Sequence, residues 1–353
     1  MRTAVINPVD GALDIDELSN PIKLISVADF NPDDYPEPGF FWKDVLPFGT
    51  INLLAGPTGV GKTSFALQLS SWGLFSNGGD FFSKLDAVLY ADLETRPREL
   101  IPLNSQIDQF RPLNFFIAHV EAPSNKLPAN TRFLSYTEGL VKQLQHFFTL
   151  NPTGKILIVI DNIQTLLSGL ELEKISVLSQ FRATLQPFVT DERCFLIINH
   201  TKKTEKLYFS ENEIFGSSYL TNVATTILGI NSIGGDLIGI WEIKNRYRKK
   251  SSVPYILRHT NIEYRADFEF IAVPEGARQL HPERILQIFF AKDLKEKGVI
   301  WSTITKIVGV SRRTIENSAK LIGVELPKEE FKGKRKEVNT ENQEQLIENQ
   351  QVK

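Results

Sequence analysis

Short apolar runs alternate with amphipathic segments between about residues 50 and 200. The apolar runs lack regular polar positions, which is typical of strands buried on both faces. Five of them are predicted strands: TINLLAG at 50–56, DAVLYADLE at 86–94, NFFIAHV at 114–120, KILIVID at 155–161 and CFLIINH at 194–200. The segments between them predict helices near Thr63–Trp72, Tyr136–Phe148 and Ile175–Phe188. This alternation predicts an α/β fold in which a mostly parallel sheet lies between helices.

Beyond about residue 220 the spacing between apolar runs shortens. ATTILGI at 224–230, LIGIWEIK at 237–244 and PYILRHT at 254–260 are separated only by the turn segments NSIGGD and RYRKKSSV. Because such short connections join antiparallel neighbours, we predict an antiparallel extension at one edge of the sheet.

The pattern becomes helical from about His281. Pro282 suits the first turn of a helix, and one face of that helix carries Ile285, Ile288 and Phe289. Two serines further on are predicted N-caps of two short helices joined by the turn VGV: Ser302 and Ser311.

These changes of pattern predict four segments. An acidic start broken by NPDDYPEPG indicates an arm or linker, and an end with almost no apolar residues indicates a disordered charged tail. The predicted boundaries are 1–39 for the arm, 40–275 for the α/β domain, 279–326 for a small helical domain and 327–353 for the tail.

Composition and charge narrow the classes of protein. A net charge of -2 over 353 residues argues against a uniformly basic binder of nucleic acid but leaves local basic surfaces open. The single cysteine, Cys194, lies in an apolar run and is predicted to be a buried structural side chain, so we expect no disulfide framework or cysteine-rich metal site. The polar start is unlike a secretory signal and no apolar run reaches the length of a membrane span, so we expect a cytoplasmic chain without a membrane partner.

A glycine-rich stretch between the first predicted strand and helix matches the phosphate-binding pattern G-x-x-x-x-G-K-[ST]. In this pattern backbone N–H groups surround phosphates, the lysine reaches the β- and γ-phosphates, and the hydroxyl binds Mg²⁺. ATP and Mg²⁺ are therefore the expected cofactors. The predicted nucleotide-binding residues are Gly56, Pro57, Thr58, Gly59, Val60, Gly61, Lys62, Thr63 and Ser64, of which Lys62 is also catalytic and Thr63 a metal ligand.

Hydrolysis of ATP also needs an acid that holds the metal and a group that orients the attacking water. Asp161 ends an apolar strand and is predicted to hold Mg²⁺ through water, the alternative being that it caps the next helix. The water-orienting acid is Asp92 or Glu94, which period-2 geometry places on one face. We favour Glu94 because it lies nearer the strand end; the alternative is that both acids pair with Arg96 or Arg98.

The motifs along the chain resemble, in order, those of RecA-type ATPases, and among these the RepA-type hexameric replicative helicases of plasmids and phages, which are related to DnaB. The resemblance covers about 39–259 and is carried by GPTGVGKT, VLYADLE, ILIVIDNIQTLL, FLIINHTKK, FGSSYLTNVATTILGI and EIKNRYR. It implies a RecA-like P-loop core and a homo-hexameric ring that acts on single-stranded or forked DNA.

The resemblance also assigns roles to residues. The family's catalytic glutamate falls on Glu94, and the residue that senses the γ-phosphate falls on His200, at the start of a His-Thr-x-Lys pattern. The Lys-x-Arg pair that enters the site of the neighbouring subunit falls on Lys244 and Arg246. Without the resemblance, a single histidine at a strand end is more often structural.

Two departures from the family pattern matter. Phe215 stands where members often have an arginine, which puts the coupling of that segment to DNA in question. The segment 244–250 is more basic than a finger strand requires, so Arg248, Lys249 and Lys250 either contact nucleic acid or form a solvated hairpin tip.

In rings of this family, loops after the third and fourth core strands line the central channel, and these correspond to 162–174 and 201–216. The second loop places lysines beside Tyr208 and Phe209, which suits phosphates and base stacking on a single strand; solvated lysines are the alternative. The predicted channel residues are Lys202, Lys203 and Lys206.

The C-terminal segment 301–324 resembles a helix-turn-helix. Its second predicted helix would bury Ile315, Ala319 and Ile322 and present its other face to DNA, or alternatively to a protein partner. The predicted DNA-contacting residues are Arg312, Arg313, Asn317 and Lys320.

These motifs predict an ATP-hydrolysing motor of the RecA type that acts on nucleic acid, and the resemblance favours a ring-forming replicative DNA helicase. One alternative is a RecA-type ATPase that remodels or loads other proteins. Another is a DNA-binding regulator that ATP switches without motor activity.

Overall fold

The computed structural model describes residues 37–94, 97–120, 126, 128–151, 153–166, 175–202, 206–214, 218–262 and 265–327. The chain divides into two units, Met1–Pro38 and Gly39–Lys353, and every element described below belongs to the second unit. The predictions for the arm up to residue 36 and for the tail from residue 328 lie outside the described residues.

Among the described residues, nine strands form one sheet and two short strands form a separate hairpin. The hairpin pairs β1 (Phe40–Trp42) with β2 (Leu46–Pro47). The sheet strands are, in chain order, β3 (Thr50–Gly56), β4 (Ala87–Asp92), β5 (Phe115–His119), β6 (Ile156–Asp161), β7 (Arg193–His200), β8 (Thr226–Gly234), β9 (Leu237–Asn245), β10 (Tyr255–Ile262) and β11 (Arg265–Ile271). Their order across the sheet is β11-β10-β9-β8-β3-β7-β6-β4-β5.

The six strands from β8 to β5 in this order are parallel to one another. Strands β9, β10 and β11 continue the sheet with antiparallel pairing. The carboxyl ends of the parallel strands therefore share one edge, here called the carboxyl edge, and their starts share the opposite one, the amino edge. The predicted parallel core and its antiparallel extension are both confirmed.

Helices cover both faces of the parallel strands. Their bounds are α1 (Lys62–Phe75), α2 (Pro97–Leu100), α3 (Ser105–Phe110), α4 (Ala129–Leu150), α5 (Ile163–Leu166), α6 (Ile175–Leu185), α7 (Ser218–Val223), α8 (Pro282–Glu296), α9 (Trp301–Val308) and α10 (Arg312–Leu321). Leu53 of β3 packs in an apolar cluster with Leu140 of α4 and Phe181 of α6, whereas Leu54 packs with Phe65 of α1. Because successive side chains meet opposite layers, the strand has no polar alternation.

The last three helices join the same apolar core as the sheet. Phe290 of α8 lies against Gly234 at the end of β8, where a Cβ would clash with the ring. Trp301 of α9 and Ile315 and Ala319 of α10 belong to the cluster that contains Leu53. The helical segment is therefore packed on the antiparallel extension through α8, and the predicted domain boundaries stay predictions.

Two local predictions differ from the structure. Ser302 is not the N-cap of α9, because the helix starts one residue earlier at Trp301, whose burial fixes the helical face, and Ile300 is the N-cap. Ser311 is the N-cap of α10, and its hydroxyl oxygen accepts a hydrogen bond from the Thr314 N–H at 3.2 Å. The second difference is β11, which the sequence prediction omitted although the alternation of charged and apolar residues in RADFEFI is the pattern of a strand with one exposed face.

Candidate nucleotide-binding and catalytic site

The phosphate-binding pattern forms the loop between β3 and α1 at the carboxyl edge. Gly59 and Gly61 have φ angles of 80° and 89°, a region that favours glycine. At Gly56 a Cβ would clash with the carbonyl oxygen of Ile230, so the close approach of β8 also requires glycine. Because the N-cap of α1 is Gly61, which has no capping side chain, the first N–H groups of the helix are available to an anion.

Lys62, the first residue of α1, is buried beneath this loop. Its Nζ donates hydrogen bonds to the carbonyl oxygens of Gly56 at 3.0 Å and Pro57 at 2.7 Å, and it lies 3.0 Å from Nδ1 of His200. Burial lowers the pKa of Lys62 to about 8, although nearby carboxylates oppose the shift. A partly desolvated ammonium at a phosphate-binding loop gains from an anionic ligand, which suits the predicted role.

Asp161 lies buried at the end of β6 and accepts two hydrogen bonds at one oxygen. Thr63 Oγ1 donates to Oδ2 at 2.7 Å, and the Tyr90 hydroxyl donates to the same atom at 2.8 Å. Burial raises the pKa of Asp161 to about 6, against the effect of both hydrogen bonds. Tyr90 was missed from the sequence, although its position two residues before Asp92 in a strand places both on one face.

The residues at this point fit the predicted metal. Hydroxyl and carboxylate oxygens are the hard ligands that Mg²⁺ prefers, and Mg²⁺ is commonly held by one or two carboxylates together with water and substrate phosphates. Thr63 and Asp161 provide one oxygen of each kind beside the phosphate-binding loop. Across the described ranges, no group of three or more His, Cys, Asp or Glu side chains could hold a metal ion.

The structure separates the two acids that follow β4. Asp92 is buried in register with Asp161, and its Oδ1 accepts a hydrogen bond from the Glu94 N–H at 3.1 Å. Glu94 lies beyond the strand end with an exposed side chain, whose Oε1 accepts a hydrogen bond from Thr165 Oγ1 at 2.7 Å. Exposure beside the phosphate-binding loop suits a group that meets water. Of the two arginines considered as partners, Arg96 lies outside the described residues.

His200 ends β7 in register with Gly56, so it lies directly beside the phosphate-binding loop. Its Nδ1 is 3.4 Å from Thr58 Oγ1, and its Nε2 is 3.2 Å from the Asn162 side-chain nitrogen. Burial, followed by the charge of Lys62, lowers the pKa of His200, so the neutral ring is favoured. The structure thus brings the predicted sensor next to the predicted phosphate lysine.

The segment after Asp161 contributes two side chains to the site, Asn162 and Gln164, to which sequence reasoning assigned no role there. Asn162 caps α5 by accepting the Thr165 N–H at 3.0 Å, which takes the capping role considered for Asp161. Gln164 Nε2 donates to Asn199 Oδ1 at 2.6 Å, and Gln164 Oε1 accepts the His200 N–H at 3.2 Å. Their only sequence signal was their position directly after the acid.

Lys244 and Arg246 lie at the opposite edge of the sheet. Lys244 pairs with Ile227 at the start of β8, and the Arg246 N–H donates to the Thr225 carbonyl oxygen at 3.2 Å. The Thr225 N–H in turn donates to the carbonyl oxygen of Ile51 at 2.9 Å, near the start of β3. Along β3, Gly56 at the phosphate-binding loop lies five residues after Ile51. The pair at the amino edge is therefore about 16 Å from that loop.

The side chains of this pair are held by backbone carbonyls. Lys244 Nζ donates to the Thr221 carbonyl oxygen at 2.5 Å, and the exposed Arg246 guanidinium donates to that of Asn222. Burial, followed by the charge of Arg246, lowers the pKa of Lys244. Neither side chain can serve the loop of its own chain from this edge.

Arg248 has a structural role in the basic turn. Its guanidinium forms a 2.6 Å ion pair with Glu242, whose side chain is fully buried, and donates to the carbonyl oxygen of Asp44 at 2.8 Å. Lys249 and Lys250 are exposed. Because Arg248 is engaged within the chain, the choice between contact with nucleic acid and a solvated hairpin tip remains only for Lys249 and Lys250.

The predicted channel segment is only partly described. Lys202 is exposed, Lys206 forms a 3.6 Å ion pair with Glu213, and Lys203 and Phe215 lie outside the described residues. The suggestion that Phe209 stacks on bases is wrong, because this ring is buried against Trp241 at a centroid distance of 4.8 Å.

Tyr208 also packs within the chain. Its ring contacts Trp241 at 5.1 Å and His281 at 5.1 Å between centroids. Aromatic stacking on nucleic acid therefore has no support from this segment.

The outward face of α10 carries the predicted DNA-contacting residues. All four are exposed: Arg312, Arg313, Asn317 and Lys320. Arg312 forms a 2.7 Å ion pair with Glu316 and lies over the Trp301 ring at 5.1 Å, so a phosphate would compete with these contacts. As predicted, Ile315, Ala319 and Ile322 are buried.

No helix within the described residues is both long and apolar enough to cross a membrane.

Comparison with known proteins identifies the family. The sequence profile described as AAA domain matches residues 19–206, which is more than half of the chain. No curated protein sequence matches significantly.

Two solved structures are similar to this chain. One is an ATPase domain, at 15% identity and a TM-score of 0.45, with 62% of this chain and 84% of that chain covered. The other is a DnaB-like replicative helicase studied for its interactions with primase, at 15% identity and a TM-score of 0.45, with 62% of this chain and 58% of that chain covered. The chain thus spans little more than half of that helicase. The profile match over more than half of the chain shows that it belongs to the AAA domain family, and its phosphate-binding loop and mostly parallel sheet form the α/β core of a P-loop ATPase.

Proposed function

We propose that this chain is an ATP-hydrolysing motor that forms a homo-hexameric ring and acts on single-stranded or forked DNA as a replicative helicase. The observation that carries the proposal is the placement of its charged groups. Lys62, Asp161 and Glu94 lie at the carboxyl edge, whereas Lys244 and Arg246 lie at the amino edge. A complete hydrolytic site therefore requires the carboxyl edge of one copy and the amino edge of another.

At the carboxyl edge, the loop 56–64 binds the triphosphate through its N–H groups and Lys62. Glu94 orients a water molecule and accepts its proton as the water oxygen bonds to the γ-phosphorus and the bond to the β-phosphate oxygen breaks, releasing ADP and phosphate. Thr63, and Asp161 through water, would hold Mg²⁺, which would supply positive charge to neutralise the phosphate oxygens.

Lys62 and His200 make this edge responsive to its ligand. The contact between Lys62 Nζ and His200 Nδ1 competes with a phosphate for the same ammonium. Binding of ATP would therefore release His200 from Lys62 and leave its ring to contact the γ-phosphate. The 3.0 Å contact between Lys62 Nζ and His200 Nδ1 supports the assignment of His200 as sensor.

At the amino edge, Arg246 supplies a guanidinium to the neighbouring copy. Its planar donors match phosphate oxygens and stabilise charge in the transition state, which makes hydrolysis depend on assembly. Lys244 lies two residues earlier, near the end of β9, and assists.

Two groups of residues are proposed to contact nucleic acid. The channel lysines are Lys202, Lys203 and Lys206, and the helical segment contributes Arg312, Arg313, Asn317 and Lys320. The proposed organisation is an arm at 1–39, a motor domain at 40–275, a helical domain at 279–326 and a charged tail at 327–353. Exposure of the described members supports these assignments.

Three measurements on the full chain test this function: the mass of the assembly, the ATPase rate with and without single-stranded DNA, and strand displacement on forked DNA. We expect a ring, an ATPase rate that rises with single-stranded DNA, and ATP-dependent displacement that Glu94→Gln abolishes. DNA-stimulated hydrolysis without displacement would instead support a remodelling or loading ATPase. Binding of a specific duplex, with hydrolysis insensitive to single strands, would support the regulator.

A further inference from the structure

The start of α5 connects two strands of the candidate site. Within four consecutive residues, Asn162 contacts His200, Gln164 bonds to Asn199 and His200, and Thr165 bonds to Glu94. His200 is at the end of β7, and Glu94 lies just beyond β4. One short segment therefore touches both the proposed sensor and the proposed catalytic carboxylate.

We propose that Thr165 is a positioning residue whose hydroxyl fixes the Glu94 carboxylate for water activation. This inference rests on the proposed function, because it assigns Glu94 the role of orienting water. It adds a residue that lies within the motif ILIVIDNIQTLL but to which the motif assigned no catalytic role.

Glu94 needs such an anchor because of where it lies. Strand β4 ends at Asp92, and Glu94 follows in a bend with an exposed side chain. The Glu94 N–H bonds to Asp92 Oδ1 at 3.1 Å, which fixes the backbone but leaves the side-chain torsions free. A carboxylate used in catalysis gains from a fixed orientation, since free rotation would reduce the time spent in the productive geometry.

Thr165 is itself held in place. Its N–H donates to Asn162 Oδ1 at 3.0 Å, which closes the first turn of α5, and Ile163 is buried in the core. A threonine in a helix has essentially two χ1 rotamers, so the hydroxyl has few positions to choose from. The donor that reaches Glu94 Oε1 at 2.7 Å is therefore preorganised.

The geometry leaves one carboxylate oxygen for the reaction. Thr165 occupies Oε1, so Oε2 is the atom expected to accept the proton from water. The other contacts of the segment extend this arrangement to His200, whose N–H is bonded to Gln164 Oε1. The residues 164 and 165 thus contact both the proposed sensor, His200, and the proposed catalytic carboxylate, Glu94.

The test compares Thr165→Val with Thr165→Ser in the full-length assembled protein, with ATP, Mg²⁺ and single-stranded DNA present. Thr165→Val keeps the side-chain shape and removes the hydroxyl, so we expect kcat to fall about tenfold with an unchanged KM. Thr165→Ser restores the donor and should stay within about threefold of wild type. Thr184→Val is the matched control, since Thr184 is half-buried like Thr165 and its hydroxyl donates to the Gln180 carbonyl oxygen of its own helix at 2.9 Å.

A double-mutant cycle separates positioning from a structural effect. In a Glu94→Gln background, Thr165→Val should change the residual rate little, because the group that it positions has already lost its function. An equal loss in both backgrounds, a wild-type rate for Thr165→Val, or a Thr165→Ser variant as slow as Thr165→Val would each overturn the inference. If Glu94→Gln is slow and Thr165→Val is not, only the role of Thr165 fails; if Glu94→Gln turns over normally, the proposed function loses its catalytic residue as well.

Discussion

At the two edges of the sheet, the charged groups with the central proposed roles differ in how deeply they are buried. At the carboxyl edge, Lys62 and Asp161 are 6% and 4% exposed, and burial moves both pKa values towards neutrality, to about 8 and about 6. At the amino edge, Arg246 is exposed and bonds only to a backbone carbonyl among the described contacts. The two groups proposed to bind phosphate and metal are thus enclosed, whereas the group proposed to act on another copy is exposed.

Arg246→Ala tests the amino edge and should have the largest effect. We expect kcat for ATP hydrolysis to fall about a thousandfold, because the transition state loses a charge that nothing at the carboxyl edge replaces. Nucleotide affinity and the mass of the assembly should stay near wild type. Lys249→Ala is the matched control, since Lys249 is exposed in the same turn; a similar loss in that variant would make the effect one of general charge.

Glu94→Gln tests the carboxyl edge. We expect ATP to bind with wild-type affinity and hydrolysis to slow at least about a hundredfold, because the amide cannot take a proton from water. Single-turnover measurements with an equilibrium binding assay separate the two steps. Wild-type turnover in Glu94→Gln, with a slow Asp92→Asn variant, would move the role to the buried acid.

Arg248→Ala tests how the amino edge is built. Removal of this guanidinium leaves the buried Glu242 carboxylate without its ion pair, so the free energy of unfolding should fall by about 2 kcal/mol. Urea denaturation measures the change, and Lys249→Ala should leave it within about 0.5 kcal/mol. Equal stability of the two variants would show that the turn does not depend on the pair.

The pH dependence of Mg-nucleotide binding tests the enclosed acid and should be the smallest effect. Because burial raises the pKa of Asp161 to about 6, a proton competes with the metal below that pH, and affinity should fall up to about tenfold per pH unit there. Tyr90→Phe removes a donor to the charged form, which raises the pKa, so the fall should begin at a higher pH. Titrations between about pH 5 and 8 measure both; identical midpoints would contradict the role of Tyr90.

The sequence predicts those parts of the site that depend on local spacing. The phosphate-binding loop and the acid at the end of β6 follow from a strand, a glycine pattern and a helix within a few residues. The parallel sheet follows from apolar runs that must be buried on both faces.

The remaining parts depend on packing between distant segments. Tyr90 meets Asp161 and Thr165 meets Glu94 only because β4 and β6 are neighbours in register. Phe209, expected on a solvated loop, is buried because Trp241 of β9 covers it. No local pattern contains these pairs, so they require the fold.

The central claim is that the carboxyl edge of one copy works with the amino edge of another, and mixing two inactive variants tests it most directly. Lys62→Ala lacks a functional loop but keeps Arg246, and Arg246→Ala has the reverse defect. In rings formed from equal amounts, about a quarter of the contacts would join an intact loop to an intact finger, so the account predicts recovery of up to about a quarter of the wild-type ATPase rate. Activity that stays at the level of the separate variants at every mixing ratio, although mixed rings form, would contradict it.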